Sequence, residues 1–396
     1  MVKDLTEAEV IVEAQRTSLV DILRKRVSYD GLEGLYNITV RKRVLFILGL
    51  LVLTTIASLI ALGIGSVDIP VTDTLKVIGH QLFPSFISGP EKEWYSTIIL
   101  NSRLPRILMA LITGISLAIS GVIMQGLLRN PLVSPFTLGV SSAASFGAAM
   151  TIVYAPMIFG SFYYESMMIL GQDITVRNLL LILFSFIFGL ASVILVILIS
   201  GRGDASRSTV ILAGVVISYL FQAGISFAKY ISNDEALREI TLWLMGGMWG
   251  VTWSSVVVLI PIVAIGFILM EKLAVDINIL SSGDDVASSL GVNVNRLRIR
   301  GLTLSALVTS ACLAFTGIIG FIGLMAPHIC RIFIGNDTRY LMPAAALMGA
   351  LILLISDTVG RVIIRPSQLP VGVIMYIIGG IFFMWLITRK NWRNMA

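Results

Sequence analysis

Nine long runs without a single Asp, Glu, Lys or Arg divide this chain, at residues 44–63, 107–124, 131–164, 178–200, 208–228, 240–270, 301–330, 340–356 and 366–388. A helix of about 20 apolar residues crosses the hydrocarbon core of a bilayer. Lipid offers no partner to backbone N–H and C=O groups, so helices, which satisfy their own, are the economical way to span it. The composition agrees: 56% of the 396 residues are hydrophobic and 13% charged, with a mean hydropathy of +0.92. Soluble domains carry roughly 25% charged residues. The reading is an all-α membrane protein.

Charge placement refines that reading. Arg41, Lys42 and Arg43 precede the first run, and Arg389, Lys390 and Arg393 follow the last. Basic clusters favour the cytoplasm, so both termini belong there and the number of crossings is even. One run must therefore hold two. The run at 301–330 is too long for one helix, and Gly317, Gly320, Gly323 and Pro327 offer places to break it. Splitting it near Gly320 predicts ten transmembrane helices. The runs at 131–164 and 240–270 also exceed one span, so part of each is expected at the outer surface. Residues 1–43 are polar, and the first run is expected to be a retained helix rather than a cleaved leader. Leu5, Val12, Leu19, Leu23 and Val27 recur among charges in that extension, a pattern that fits an amphipathic helix at the cytoplasmic interface. The modest surplus of 29 Lys and Arg over 23 Asp and Glu lies mostly in helix-flanking loops, which argues against a nucleic-acid partner. Cys312 and Cys330 fall inside apolar runs without metal-ligand spacing, and small apolar packing suits them. A short echo relates 117–123 to 313–319 and suggests an inverted repeat.

Several motifs then converge on one family. They are Arg103-Leu104-Pro105-Arg106; Ser120-Gly121 with Met124-Gln125; Asn130-Pro131-Leu132 with Pro135; and Leu138-Gly139-Val140. A second block comprises Trp243-Leu244-Met245-Gly246-Gly247, Leu290-Gly291-Val292 and the stretch from Gly320 to His328; a third comprises Ser356-Asp357-Thr358 with Arg361 and Leu369-Pro370-Val371-Gly372-Val373. Over about residues 44–390 the chain resembles the FecCD family, the permease subunits of ATP-binding-cassette (ABC) importers for iron chelates, haem and vitamin B12. The resemblance implies the ten-helix fold of type II importers and a homodimer with its path along the two-fold axis. It also implies two cytoplasmic ATPase subunits that hold ATP and magnesium, an extracytoplasmic binding protein, and residence in the plasma or inner membrane. The chain itself is expected to bind no cofactor and to hydrolyse nothing: it has no Gly-Lys dipeptide, hence no phosphate-cradling loop. A ferric siderophore is the expected cargo, with haem and cobalamin next. Transport is by alternating access.

The resemblance also assigns roles. Arg103, Arg106 and Arg361 match the arginines that receive glutamates of the binding protein, and a guanidinium fork suits a carboxylate; lipid snorkelling is the plainer alternative. Asn130, Pro131 and Leu132 match one cytoplasmic gate, Ser208 and Thr209 a second; both are also ordinary helix boundaries. The loop at 271–300 matches the element that couples to the ATPase, through Gly283, Asp284, Asp285, Ala287, Leu290 and Gly291. Its Ser281-Ser282-Gly283-Asp284-Asp285 start fits a short exposed helix with a Ser N-cap. His328 is expected to be hydrogen-bonded between helices, and Asp357 to pair with Arg361 one turn away. Trp243, Trp249 and Trp253 suit the membrane interface. The alternative class, an ion-coupled secondary transporter, would need intramembrane acids, and Asp357 is the one available.

Overall fold

The computed structural model describes residues 29–65, 67–86, 88–169, 172–200 and 207–388. Over these the chain is almost entirely helical. The first helix, α1 (Tyr29–Gly63), is followed by α2 (Val71–Leu82) and α3 (Glu93–Thr97), which passes through a π-helical stretch, Ile98–Arg103, into α4 (Leu104–Leu128). Next come α5 (Val140–Phe159), a two-stranded hairpin of β1 (Ser166–Ile169) and β2 (Gln172–Thr175), α6 (Val176–Ser200), α7 (Arg207–Ile231) and α8 (Asp234–Leu244). The remainder is α9 (Trp253–Glu271), α10 (Ala274–Leu280), α11 (Asp284–Ser289), α12 (Val294–Thr316), α13 (Ile322–Ile334), α14 (Thr338–Val362) and α15 (Val371–Thr388). Among the described residues nine helices are long and apolar enough to cross a membrane, and α13 is a shorter apolar helix.

The split in the seventh run falls where its glycines placed it. Helix α12 stops at Thr316, Gly317 takes φ +66°, and α13 resumes at Ile322. The runs at 131–164 and 240–270 also divide, but not both as expected. The surplus of the first lies mostly at its start, in turns over 131–139 before α5, because Pro131 and Pro135 forbid a continuous helix there. The second splits into the end of α8, an extended loop and α9. Helix α1 is continuous from Tyr29, so no structural break separates 43 from 44. The apolar positions Leu5 to Val27 lie outside the described residues. The echo of 117–123 in 313–319 is not structural: the first is helical throughout, whereas the second leaves its helix at Gly317.

Helix α4 is the hub, with 83% of its most apolar window buried. Small residues let its neighbours close on it, as helices packed in lipid require. Gly114 abuts Gly349 of α14, and a methyl group at Gly121 would overlap the carbonyl oxygen of Gly323. On the α12 side, Ser116 and Ser120 donate to the carbonyl oxygens of Val308 (3.0 Å) and Ser305 (3.2 Å). Two of the motif stretches also meet beside the α12–α13 break: Gly247 N–H donates to Thr316 O (2.8 Å) and Gly372 N–H to Gly246 O (3.2 Å). The glycines that carry the resemblance thus knit the α8–α9 loop, the α12–α13 break and the start of α15 into one junction.

Helix ends collect in two polar layers. The upper layer holds Arg103, Arg106, Asp357, Arg361 and Arg365; the lower holds Arg43, Arg129, Asp284, Arg298 and Asp337. Helices α13 and α15 descend side by side, with His328 against the rings of Phe382 and Phe383 and Ile334 O accepting from Arg43.

Candidate transport elements in the two polar layers

Of the upper-layer arginines, Arg103 and Arg361 are buried and Arg106 is largely so, and all three are engaged within the chain. Arg103 closes the end of α1: its Nη1 donates to Leu62 O (2.6 Å) and Gly63 O (2.8 Å), and its Nη2 donates to Val67 O. The carbonyls of Leu62 and Gly63 are among those at a helix C-terminus that have no partner within the helix, so the guanidinium acts as a cap from a distant helix. Arg106 makes a forked contact with Asp357, with Nε 3.1 Å from both carboxylate oxygens and Nη2 2.8 Å from Oδ1, and its Nη1 donates to Gln368 (2.6 Å). Arg361 completes the cluster, its Nε 3.3 Å from the other oxygen of Asp357 and its Nη1 donating to Ile64 O at 3.2 Å. The expected Asp357–Arg361 pair is present. Arg106, 251 residues away, was not foreseen as a partner, because nothing in the sequence marks a contact at that separation. Arg365 is the accessible cation here, paired with the exposed Asp68 at 2.7 and 2.9 Å, and it holds that carboxyl below its ordinary range.

In the lower layer the coupling loop folds as foreseen into the short helix α11, but Gly283 rather than a serine takes the N-cap, at φ +130°. Leu290 is exposed, whereas Ala287 is fully buried and faces its own chain. Gly291 at φ +86° ends the element. Asp284, at the first turn of α11, receives Arg298 of α12 at 2.6 Å and stands 3.8 Å from Arg129. Asp285 is exposed, as are Ser208 and Thr209 at the start of α7. Between α11 and α12 opens a cleft of about 540 Å³, bordered by Asp284, Ser288, Asn293 and Arg298.

Arg129 closes α4 in the left-handed conformation, φ 48°, and Asn130 N–H returns to Gln125 O at 3.2 Å. Asn130 then holds its turn through Oδ1, which accepts from Leu132 N–H at 2.9 Å, leaving Leu132 exposed. The Asn130-Pro131-Leu132 turn is therefore one residue from a side chain that reaches Asp284 of α11.

A second knot was missed from sequence. Asp337 accepts from Arg43 (3.0 Å), Asn278 (2.8 Å) and Arg339 (3.0 and 2.8 Å), tying α1 and α10 to the start of α14. The Arg339 contact, above all, holds the Asp337 carboxyl below its ordinary range. The Asp-x-[Arg] spacing at a helix N-cap was the one local signal for it. His328 differs from expectation: its Nε2 makes no hydrogen bond, and aromatic rings surround it instead. Trp253 donates to Leu100 O at 3.0 Å, which anchors α9 to the π-helical stretch before α4. Among the described residues no cluster of three His, Cys, Asp or Glu could hold a metal ion.

The model of the FecCD transport family matches residues 51–389. The chain belongs to the FecCD transport family. It is 39% identical over 294 residues to the hemin transport system permease protein HmuU of Yersinia pestis, covering 74% of this chain and 84% of that one. It is 34% identical over 302 residues to the cobalamin import system permease protein BtuC of Halobacterium salinarum, covering 76% of each. It is also similar to a solved inward-facing ABC transporter of the metal-chelate type, with 30% identity and a TM-score of 0.72 over 86% of this chain and 98% of that one. A FecCD-family chain is a multi-pass membrane permease. It is not catalytic; ATP is hydrolysed by the partner subunit of such systems.

Proposed function

We propose that this FecCD-family permease imports a metal chelate, a ferric siderophore before haem or cobalamin, by alternating access at the axis of a homodimer. Two cytoplasmic ATPase subunits drive it and an extracytoplasmic binding protein supplies the cargo. The lower layer is then cytoplasmic and the upper layer outward. Counting α13 as a crossing gives ten, with α1 entering from and α15 returning to the lower side; the paired descent of α13 and α15 supports this topology.

The observation that carries the mechanism is Asp284. It sits on the coupling helix and contacts both Arg298, at the root of α12, and Arg129, at the turn before Asn130. A push on α11 by the ATPase moves a carboxylate that touches the gate turn, so the stroke reaches Asn130-Pro131-Leu132 without crossing a flexible loop. Ser208 and Thr209 form the opposite lip of the gate. In the upper layer, docking proceeds at the rim of the cluster: a carboxylate of the binding protein competes with Gln368 for Arg106 and approaches Arg361, while Asp357 keeps both arginines and Arg103 holds α1 in place. Pairing of Asp357 with two arginines disfavours the ion-coupled alternative, since a coupling acid must be free to change its charge.

The test is uptake of radio-iron on a hydroxamate siderophore into proteoliposomes holding the permease with its ATPase and binding protein. Uptake should require ATP and the ATPase subunit. Asp284→Asn should lower it by roughly 2- to 30-fold, the span of a coupling energy of about 0.5–2 kcal/mol, with little change in unfolding temperature. Uptake that persists without the ATPase would refute the reading.

A further inference from the structure

Five arginines described above are shielded from water, and each has an acceptor: Arg43, Arg103, Arg106, Arg298 and Arg361. Arg331, in the last turn of α13, has none. Its Nη1 is closed off from solvent and makes no hydrogen bond, and no carboxylate pairs with it among the described residues. A desolvated cation without a partner is costly, by several kcal/mol. Its setting indicates what would offset that cost. Arg331 lines a cleft of about 420 Å³ in the lower layer, between the end of α4, α10 and the start of α14. Arg129 lines the same cleft, with its nearest carboxylate oxygen 3.8 Å away. The lining carries two arginines and no acid. Gln125 lines it too. Its Nε2 donates to Gly323 O at 2.9 Å, but its Oε1 is buried and accepts nothing. The cleft wall therefore carries two guanidinium groups, one of them 3.8 Å from Asp284, and closed off behind it lie one donor and one acceptor without a partner among the described residues.

We propose that this cleft is a binding site for a phosphate group that carries a hydroxyl. Phosphate oxygens accept from guanidinium forks, and an O–H beside them donates to Gln125 Oε1. Inorganic hydrogenphosphate has both features, and so does the headgroup of phosphatidylglycerol. Sulfate at neutral pH lacks the O–H and fits less well. Because Arg129 belongs to the site, an occupant competes with Asp284 for that side chain, which places the cleft next to the gate turn.

The full-length chain in detergent, titrated with sodium phosphate against sodium sulfate and sodium chloride at equal ionic strength, tests the free anion. A saturable rise in unfolding temperature of about 2 °C or more with phosphate, smaller with sulfate, is expected for a ligand that binds only the folded state. Arg331→Gln should abolish the rise. Asn336→Asp, at an exposed position of the same cleft, should abolish it as well by supplying a carboxylate from within, and should raise the unfolding temperature without ligand; it serves if Arg331→Gln does not fold. For the lipid source, protein extracted from vesicles of equal parts phosphatidylcholine and phosphatidylglycerol is examined by native mass spectrometry. A retained phosphatidylglycerol adduct, lost in either variant, supports the site with lipid as its occupant. Equal responses of wild type and variants in both experiments, or no response in either, overturn the proposal.

Discussion

The upper and lower layers use the same chemistry, arginine against carboxylate, in opposite ways. In the upper layer the Asp357 side chain is 1% exposed and Arg361 4%. Arg106 comes from α4, and Ile64, whose carbonyl accepts from Arg361, from the segment after α1, so three parts of the chain meet around one dry carboxylate. In the lower layer Asp284 is 35% exposed and its contact with Arg129 is long, at 3.8 Å. A buried pair is held because separating it strands a charge in a medium of low dielectric; a half-exposed pair exchanges its partner for water at little cost. The upper cluster is thus a rivet, whereas the Asp284–Arg129 contact can part at little cost. Under the proposed mechanism, in which the ATPase moves the lower end, that division is mechanically sensible.

The sharpest way to break the comparison is to empty the rivet. Asp357→Ala leaves Arg106 and Arg361 buried without a carboxylate, and it should destabilise the protein by about 3–5 kcal/mol. Loss of folded, detergent-soluble protein and a large drop in unfolding temperature are the readouts. Replacing Arg106 and Arg361 together with Asp357 by apolar residues of similar size should recover much of the loss. If Asp357→Ala unfolds at the wild-type temperature, the upper cluster is no rivet.

Which parts of this division could be read from the residues follows from range. Apolar runs, the Gly317 break and the turn at Asn130-Pro131 are local statements, written in length, hydropathy and the backbone limits of Gly and Pro, and each appears where expected. The coupling helix was equally local, although its cap fell on Gly283 because the preceding serines are consumed in turns. Burial of Arg103, Arg106 and Arg361 was not legible: an arginine near a helix end looks the same whether it snorkels, docks a partner or caps a helix that ends 40 residues away. Asp357 was legible only as far as Arg361, one turn along its own helix. Arg331 and the Asp337 knot depend on where α10, α13 and α14 cross, which no pattern of period 3.6 reports. Sequence therefore located the elements, and packing decided which of their charges are free.

A smaller effect sharpens the lower side of the comparison. Asp337 ties three helices, but from the water boundary, and its carboxyl is held below its ordinary range by Arg339 and Asn278. A carboxyl with a depressed folded value contributes its stability fully above the unfolded value of about 4, and loses it as pH falls through the lower folded value. The difference in unfolding temperature between wild type and Asp337→Ala should be constant from about pH 5 to pH 8 and shrink below about pH 4. At neutral pH the knot is worth about 1–3 kcal/mol on the scale of hydrogen bonds to charged groups. A difference that instead grows on acidification would mean that Arg43 and Arg339 find better partners without it, and the lower layer would lose its fixed point.

The smallest effect comes from the upper layer itself, where burial rather than location is argued to make the rivet. Arg365 and Asp68 lie beside the buried cluster and are joined by two short hydrogen bonds, yet Asp68 is 70% exposed. Exposed ion pairs gain little, because water and salt screen both charges and two side chains lose freedom. Arg365→Ala should leave the unfolding temperature unchanged within error at physiological salt, in contrast to Asp357→Ala eight residues earlier in the chain. Under the docking proposal the same substitution removes an accessible cation next to Arg361, so any effect should appear in the affinity for the binding protein and weaken with added salt. A clear drop in unfolding temperature for Arg365→Ala would show that the upper layer owes its rigidity to charge pairing as such, and not to the exclusion of water around Asp357.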